Sequence, residues 1–317
     1  MKPLLLGLDI GGTKTAVALG HSPVEVLARE EFPTGAPQPT LNRAVAAARR
    51  LLAARGGQSP AAVGVACGGP LDAEKGVILS PPNLPGWSDV PVVELVTRVI
   101  PAPARLENDA NAGALAEHRY GAGRGVRDFV FVTFGTGLGA GLVLGGRLHR
   151  GASGMAGEIG HVRLAPDGPF AHGKHGSAEG FASGAGLAQI ARRCHDEAGG
   201  RGSSLAGLGP EELTARAVVR AALDGDELAG ELVAECGRGL GRALAVLADL
   251  VNPEVIAVGG LAVPLGDLVL IPARREMLAE ALPEAGCVCR VVPAQLGEGI
   301  GDAQALVLAE MVLEGSP

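Results

Sequence analysis

A strand, a glycine turn and a second strand occur twice in this chain, and that recurrence narrows the possible folds more than any compositional figure. Leu4-Leu5-Leu6-Gly7-Leu8-Asp9-Ile10 runs into Gly11-Gly12-Thr13-Lys14 and resumes as Thr15-Ala16-Val17-Ala18-Leu19. From Phe129, the run Phe129-Val130-Phe131-Val132-Thr133-Phe134 meets Gly135-Thr136-Gly137-Leu138-Gly139-Ala140-Gly141 and continues as Leu142-Val143-Leu144. Two lobes built on one plan account for the repeat, and 317 residues are long enough for two. The likeness is one of pattern rather than identity, so two unrelated β-hairpins are the competing reading.

Around the repeats, helix and strand patterns alternate. Leu41, Val45, Ala48, Leu51 and Leu52 recur at helical spacing, and Ala62-Val63-Gly64-Val65-Ala66 is strand-like. A glycine- and histidine-rich loop region follows over 158–184, then helical patterns from Glu211 to Leu250, a strand Val255-Ile256-Ala257-Val258 ending at Gly259-Gly260, and a further helix, strand and terminal helix. This order predicts α/β layers, with a lobe boundary near Tyr120 to Arg127. A content of 47% hydrophobic and 19% charged residues excludes a disordered chain, and 50 glycines without a period exclude collagen. The net charge of −7, with no dense run of Lys or Arg, speaks against nucleic acid or an anionic membrane as partner. Small polar or phosphorylated ligands remain. The uncharged stretch from Phe129 to Gly146 is glycine-rich and alternates like strands, which disfavours a membrane helix. Asp9 cuts the apolar start below signal-peptide length. Cys67, Cys194, Cys236, Cys287 and Cys289 form no CxxC pair and read as free thiols of a reducing cytoplasm.

Three glycine turns, Gly11-Gly12-Thr13-Lys14, Gly135-Thr136-Gly137 and Gly259-Gly260, each follow a strand. Such turns let backbone N–H groups approach an anion, although neither the Walker A pattern nor the GxGxxG fingerprint fits them. Asp9 ends an apolar strand, where a carboxylate needs a cation or hydrogen bonds; Mg²⁺ is a natural partner, and a turn cap is the alternative. Lys14 is one of only four lysines and suits a compact charge beside phosphate. In Leu106-Glu107-Asn108-Asp109-Ala110-Asn111-Ala112 a strand gives way to a helix, placing Asn108 and Asp109 at an N-cap. Capping explains one of them; Asp109 as a general base toward a substrate hydroxyl is equally open.

Leu8-Asp9-Ile10-Gly11-Gly12-Thr13-Lys14, Glu107-Asn108-Asp109-Ala110-Asn111, Gly135-Thr136-Gly137-Leu138-Gly139, Gly157-Glu158-Ile159-Gly160-His161 and Asn252-Pro253-Glu254-Val255-Ile256 with Gly259-Gly260 occur in this order. The series resembles the ROK family of sugar kinases and sugar-responsive repressors, most of all its glucokinases, from Leu4 to the last helix. The resemblance implies two ribonuclease-H-like lobes of the actin-like ATPase type with an active-site cleft between them. The small lobe would be 1–120 and the large lobe 121–299, with a helix over 300–317 packing back on the first. It further implies Asp109 as the base that takes the proton of a sugar 6-hydroxyl attacking ATP. Gly11, Gly12, Thr13 and Lys14 with Thr136 and Gly137 would clasp the phosphates, Gly259 and Gly260 would lie on the adenosine side, and Asp9 would reach Mg²⁺. Sugar contacts implied are Gly69, Asn83, Asn108, Asp109, Glu158, His161 and Glu179.

One departure from the family stands out. Its structural zinc is held by three cysteines in a CxCGxxGC pattern together with the histidine equivalent to His161. This chain instead reads Gly168-Pro169-Phe170-Ala171-His172-Gly173-Lys174-His175-Gly176-Ser177-Ala178-Glu179, without a cysteine. Loss of zinc is expected; a nitrogen site of His161, His172 and His175 is the alternative. The leading functional expectation is an ATP- and Mg²⁺-dependent glucokinase of the cytoplasm, a homodimer by family likeness. Its rivals are a kinase for N-acetylmannosamine or fructose, a polyphosphate-using glucokinase, a non-catalytic sugar sensor, and a repressor. The last is disfavoured because the first phosphate strand starts by Leu4, without a helix-turn-helix segment ahead of it.

Overall fold

The structure is a computed structural model that describes residues 2–198 and 202–315. The chain opens with an antiparallel meander of β1 (Leu5–Ile10), β2 (Lys14–Ser22) and β3 (Glu25–Pro33), the first two of them apolar runs buried along most of their length. There follow α1 (Pro37–Ala53), β4 (Ala62–Cys67), β5 (Leu71–Asp72), β6 (Val77–Ile78), α2 (Val92–Thr97), β7 (Ala104–Asn108) and α3 (Asp109–Tyr120). The sheet order is β3-β2-β1-β4-β7, with β1, β4 and β7 parallel. A second meander comprises β8 (Phe129–Phe134), β9 (Leu138–Leu144) and β10 (Arg147–His149). After a small hairpin of β11 (Phe170–Ala171) and β12 (Lys174–His175) come α4 (Ala178–Phe181), α5 (Gly184–Ala198), α6 (Ala215–Leu223) and α7 (Glu227–Val251). The chain closes with β13 (Val255–Val258), α8 (Ala262–Leu265), α9 (Asp267–Glu280), α10 (Pro283–Val288), β14 (Arg290–Pro293) and α11 (Ile300–Glu314). The second sheet runs β10-β9-β8-β13-β14, its last three strands parallel.

Both sheets thus follow one plan, a three-stranded meander whose first strand is flanked by two more parallel strands, so the repeat in the sequence is a repeat of topology. Two expectations are corrected in detail. The second turn is only Gly135-Thr136-Gly137, because β9 starts at Leu138 and pairs Gly139 with Thr133 and Gly141 with Phe131. The helical pattern expected from Glu211 begins at Ala215 behind the Thr214 cap, and Asp226 caps a separate second helix, α7.

The chain divides into two compact units, Met1–Arg124 with Arg150–Met155 and Glu298–Pro317, and Gly125–His149 with Ala156–Gly297. In the first, α1 and the Leu84–Trp87 segment cover one sheet face, with Leu6, Leu8, Val17, Leu41 and Trp87 buried. On the other face, Leu306 and Ala309 of α11 close over Leu5, Ala18 and Ala62. Paired Gly7 and Gly64 lie beneath Ala305, where a side chain on either would meet α11. In the second unit, α5, α6, α7 and α9 pack a core around Val130, Phe134, Leu187, Leu240 and Val258. All five cysteines are free. No helix among the described residues is long and apolar enough to cross a membrane.

Candidate functional site

In the first unit, three parallel strands end at the same level, Ile10 beside Cys67 and Cys67 beside Asn108. The chain turns there at Gly11–Lys14, Gly68–Gly69 and Asn108–Asp109, so the carboxyl edge of the sheet gathers most of the residues singled out in this half. Gly11 N–H donates to the Lys14 carbonyl at 3.0 Å, closing the first turn. A Cβ on Gly12 would stand 2.5 Å from the Asn83 carbonyl oxygen, and one on Gly69 3.4 Å from Asn108 Nδ2, which brings Asn83 and Gly69 to the same edge. Asn108 is the N-cap of α3, its Oδ1 accepting from Ala110 N–H at 2.9 Å and Asn111 N–H at 3.2 Å. Capping is thereby accounted for, and Asp109, at the first helical position, is left for other work. Thr13 is exposed at the turn. Lys14 is exposed as well and donates to Glu31 Oε2 at 2.8 Å.

Two carboxylates share this edge. Burial, reinforced by the charge of Asp109 and opposed by a hydrogen bond from Gln304, pushes Asp9 up to about 7. Burial likewise pushes Asp109 upward, against the backbone N–H bonds it accepts. Asp9 suits a divalent cation: Gln304 Nε2 bonds Oδ1 at 3.0 Å, while Oδ2 is left open because Gly301 lacks the Cβ that would lie 2.6 Å from it. A carboxyl raised in the folded state favours folding fully below its unfolded value of 3.8, and that contribution is lost as pH rises toward about 7. Asp9→Asn keeps an acceptor for Gln304 and removes this penalty. At pH 7.5 without cation it should melt higher than wild type by roughly 3–6 °C, with the gap gone at pH 4, in thermal scans at both pH values.

In the second unit, Gly135 N–H bonds the Gly137 carbonyl at 3.0 Å, the same closure as in the first turn. Gly259 and Gly260 wrap the end of β8, with Gly259 N–H on Val132 O at 2.9 Å and Leu261 N–H on Phe134 O at 2.7 Å. Gly260 takes φ +61°, and a Cβ there would collide with the Phe134 carbonyl, so only glycine lets this turn close on Gly135. Thr136 is exposed beside it. Glu179, in the first turn of α4, accepts from Leu138 N–H through Oε2 at 2.9 Å and faces His172 Nε2 through Oε1 at 3.1 Å. The His172 ring stacks on His161 with centroids 3.7 Å apart. Partial enclosure and the neighbouring His172 hold His161 below the usual histidine range. Glu158 is exposed and precedes a short 3₁₀ turn, Ile159–His161, anchored to β9 by Ala140 N–H on the Gly157 carbonyl at 2.8 Å.

The three histidines named as an alternative metal site are engaged with other groups of the protein. His161 and His172 lie face to face, an arrangement that does not aim two ring nitrogens at one ion, and His175 Nδ1 instead bonds the Gly168 carbonyl at 2.9 Å. Among the described residues no group of three or more His, Cys, Asp or Glu has the arrangement of a metal site. The donor set of the family's zinc is therefore not matched here, and no step is assigned to that metal. Gln304 and Gly301, both from α11, belong to the Asp9 site and were not foreseen. They lie far along the chain from Asp9, and no spacing rule links them to it.

The profile of the ROK family matches residues 5–311. A glucokinase of Streptomyces coelicolor is 34% identical over 311 residues, 96% of this chain and 97% of that protein. Among solved structures, a ROK family glucokinase from Streptomyces griseus in complex with glucose and AMPPNP is 34% identical with a TM-score of 0.83, covering 97% of this chain and 99% of that one. A ROK hexokinase from Thermus thermophilus is 32% identical with a TM-score of 0.79, covering 99% and 100%. The two-sheet α/β architecture is the ribonuclease-H-like, actin-like ATPase type shared with these sugar kinases.

Proposed function

The chain belongs to the ROK family, and from that premise we propose that it is an ATP-dependent hexose kinase acting on the 6-hydroxyl of glucose. The observation that carries the reading is the carboxyl edge of the first sheet, where a half-buried, upward-shifted Asp109, in a helix already capped by Asn108, stands beside a glycine turn and the Asp9 carboxylate. Asp109 accepts the hydroxyl proton as the sugar oxygen bonds to the γ-phosphorus; the bond from that phosphorus to the β,γ-bridging oxygen breaks and ADP leaves. Its raised proton affinity makes it a better acceptor than an exposed aspartate. Gly11 closes the turn, and Gly12, Thr13 and Lys14, with Thr136 and Gly137, hold the phosphates through backbone N–H groups and the lysine charge. Lys14 leaves Glu31 to do so. Gly259 and Gly260 admit the nucleoside side. Mg²⁺ bound with ATP supplies charge neutralisation at the phosphates, and Asp9 is the residue that would hold it. Gly69, Asn83, Asn108, Glu158, His161 and Glu179 are the proposed sugar contacts. Polar groups of this kind reject an analogue that lacks a hydroxyl, because one partner is left unpaired.

ADP release over a panel of hexoses tests the proposal. Glucose should give the highest kcat/KM with ATP as donor. Turnover of N-acetylmannosamine or fructose above glucose, or of polyphosphate above ATP, would replace the substrate or the donor. No turnover with any hexose would turn the reading toward a sugar sensor.

We also propose that the sugar loop is organised without zinc, through the Glu179–His172 contact and the His172–His161 stack. Protein purified without chelator should contain less than about a tenth of an equivalent of zinc by elemental analysis, and prolonged EDTA treatment followed by Mg²⁺ should restore full activity at an unchanged Tm. Stoichiometric zinc, or a Tm lowered by the chelator, contradicts this.

A further inference from the structure

Glu107 is the penultimate residue of β7, two before the proposed base, and is only 1% exposed. A carboxylate removed from water is costly unless its oxygens are satisfied, and here the two oxygens serve different neighbours. Oε1 accepts from the backbone N–H of Asn108 at 3.0 Å and from Asn111 Nδ2 at 3.1 Å. Oε2 accepts from Arg150 Nε at 2.9 Å, with Arg150 Nη2 2.8 Å away. Nη2 lacks hydrogen-bond alignment, so Nε makes the bond and Nη2 adds charge. Arg105 stands farther from the same oxygen, at 4.0 Å. Asn111 is itself buried and its Oδ1 has no donor, which leaves the bond to Glu107 as its tie.

These contacts enclose the base. The N–H of Asn108 is held by Glu107, that of Ala110 by Asn108 and by Asp109 itself, and that of Asn111 by Asn108. Asp109 occupies the first position of α3, so the direction of its carboxylate follows this pinned stretch of backbone. The pin depends in turn on Arg150, which opens Arg150–Met155. That stretch belongs to the first unit although the chain before and after it builds the second. An N-cap needs only Asn108; an ion pair between a strand end and a residue 43 positions later is more than helix initiation requires.

We propose that Arg150 is a positioning residue for the phosphoryl transfer: its guanidinium holds the Glu107 carboxylate in place, and Glu107 fixes the turn that aims Asp109. The proposal rests on the reading of Asp109 as the base. Loss of a buried ion pair lowers stability whatever the role, so stability alone does not test it. Misaim of a base acts on kcat, where displacements below an ångström are felt strongly.

The test measures kcat, KM for ATP, KM for glucose and Tm on the full chain for Arg150→Met, Arg150→Lys, Glu107→Gln and Asp109→Asn. Arg150→Met should lower kcat by roughly 30- to 100-fold at temperatures where it is folded, with both KM values within about threefold of wild type. Arg150→Lys, which restores the charge, should recover at least about a third of the wild-type kcat. Glu107→Gln keeps the Oε1 acceptor but not the pair with Arg150; it should show a kcat loss that does not multiply with that of Arg150→Met in the double variant. Wild-type kcat in Arg150→Met, a loss confined to the KM for glucose, or a kcat loss that lysine leaves uncorrected overturns the proposal. If Arg150→Met does not fold, Arg150→Lys and Glu107→Gln still decide: a wild-type kcat in Glu107→Gln, or one in Arg150→Lys as low as in Glu107→Gln, overturns it. Asp109→Asn separates the premise from the inference. Full kcat in that variant removes the base itself, whereas an inactive Asp109→Asn beside a normal Arg150→Met removes only the role of Arg150.

Discussion

Asp109→Asn should lower kcat for glucose phosphorylation by about a thousandfold while leaving KM for ATP within a few-fold, since general-base assistance is worth on the order of 10²–10⁴. The exchange is nearly isosteric, and Asn retains a side-chain oxygen for the Ala110 N–H that Asp109 Oδ1 accepts at 2.8 Å. Stability should move the other way. Burial pushes Asp109 above its ordinary value, so ionisation at neutral pH costs the folded state free energy, and a neutral amide removes that cost. The variant should be less active and melt no lower than wild type at pH 7.5, which separates a chemical defect from unfolding. The wild-type pH profile carries the same sign: kcat/KM falls as pH drops through a value above 3.8. A variant that keeps more than a tenth of the wild-type kcat would remove Asp109 from the reaction and leave it as a helix-start residue.

Gly64→Ala should be among the most destabilising single-atom additions in the protein. Gly64 sits in β4 opposite Gly7 of β1, and a methyl group there overlaps the Ala305 carbonyl, with Ala309 N 2.7 Å away. Both are helix backbone, so no rotamer change relieves the clash, and α11 must lift from the sheet. Overpacking of this kind costs about 3 kcal/mol or more, a Tm lower by roughly 6–12 °C. Gly230→Ala supplies the contrast. That glycine lies within α7 and its Cβ would meet nothing within 4 Å, so alanine should leave Tm unchanged or raise it slightly through helix propensity. Equal melting of the two variants would contradict the packing of α11 on the sheet. Because Gln304 and Gly301 come from the same helix, Gly64→Ala should also weaken whatever Asp9 binds.

Much of the fold was legible because short apolar runs and helical spacing are local signals. The first two strands of each meander, β4, α1 and β13 could be read this way. The start of α3 was legible for the same reason, since Asn108 lies within three residues of the two N–H groups it caps. Burial on both sides hid the extent of the second turn: Gly139 and Gly141 look like loop residues and in fact pair inside β9. The partners that complete the sites were illegible for a different reason. Gln304 reaches Asp9 and Arg150 reaches Glu107 across long stretches of chain, and no periodicity couples such pairs. The histidine-rich loop gave composition without geometry; whether His172 or His175 lies beside His161 depends on the turn between β11 and β12, where His172 takes φ +52°.

The first unit is assembled from three separated stretches, the last of them containing α11. Viewed as a timetable of synthesis, this means that β1, β2 and β4 leave the ribosome long before the helix that seals Leu5, Ala18 and Ala62. At about 5–20 residues per second the bare sheet face waits on the order of ten seconds to a minute. The second unit, continuous apart from the excursion at Arg150–Met155, is complete before that wait ends. The half of the protein that carries Asp109 therefore begins before the second unit and receives its last element after it.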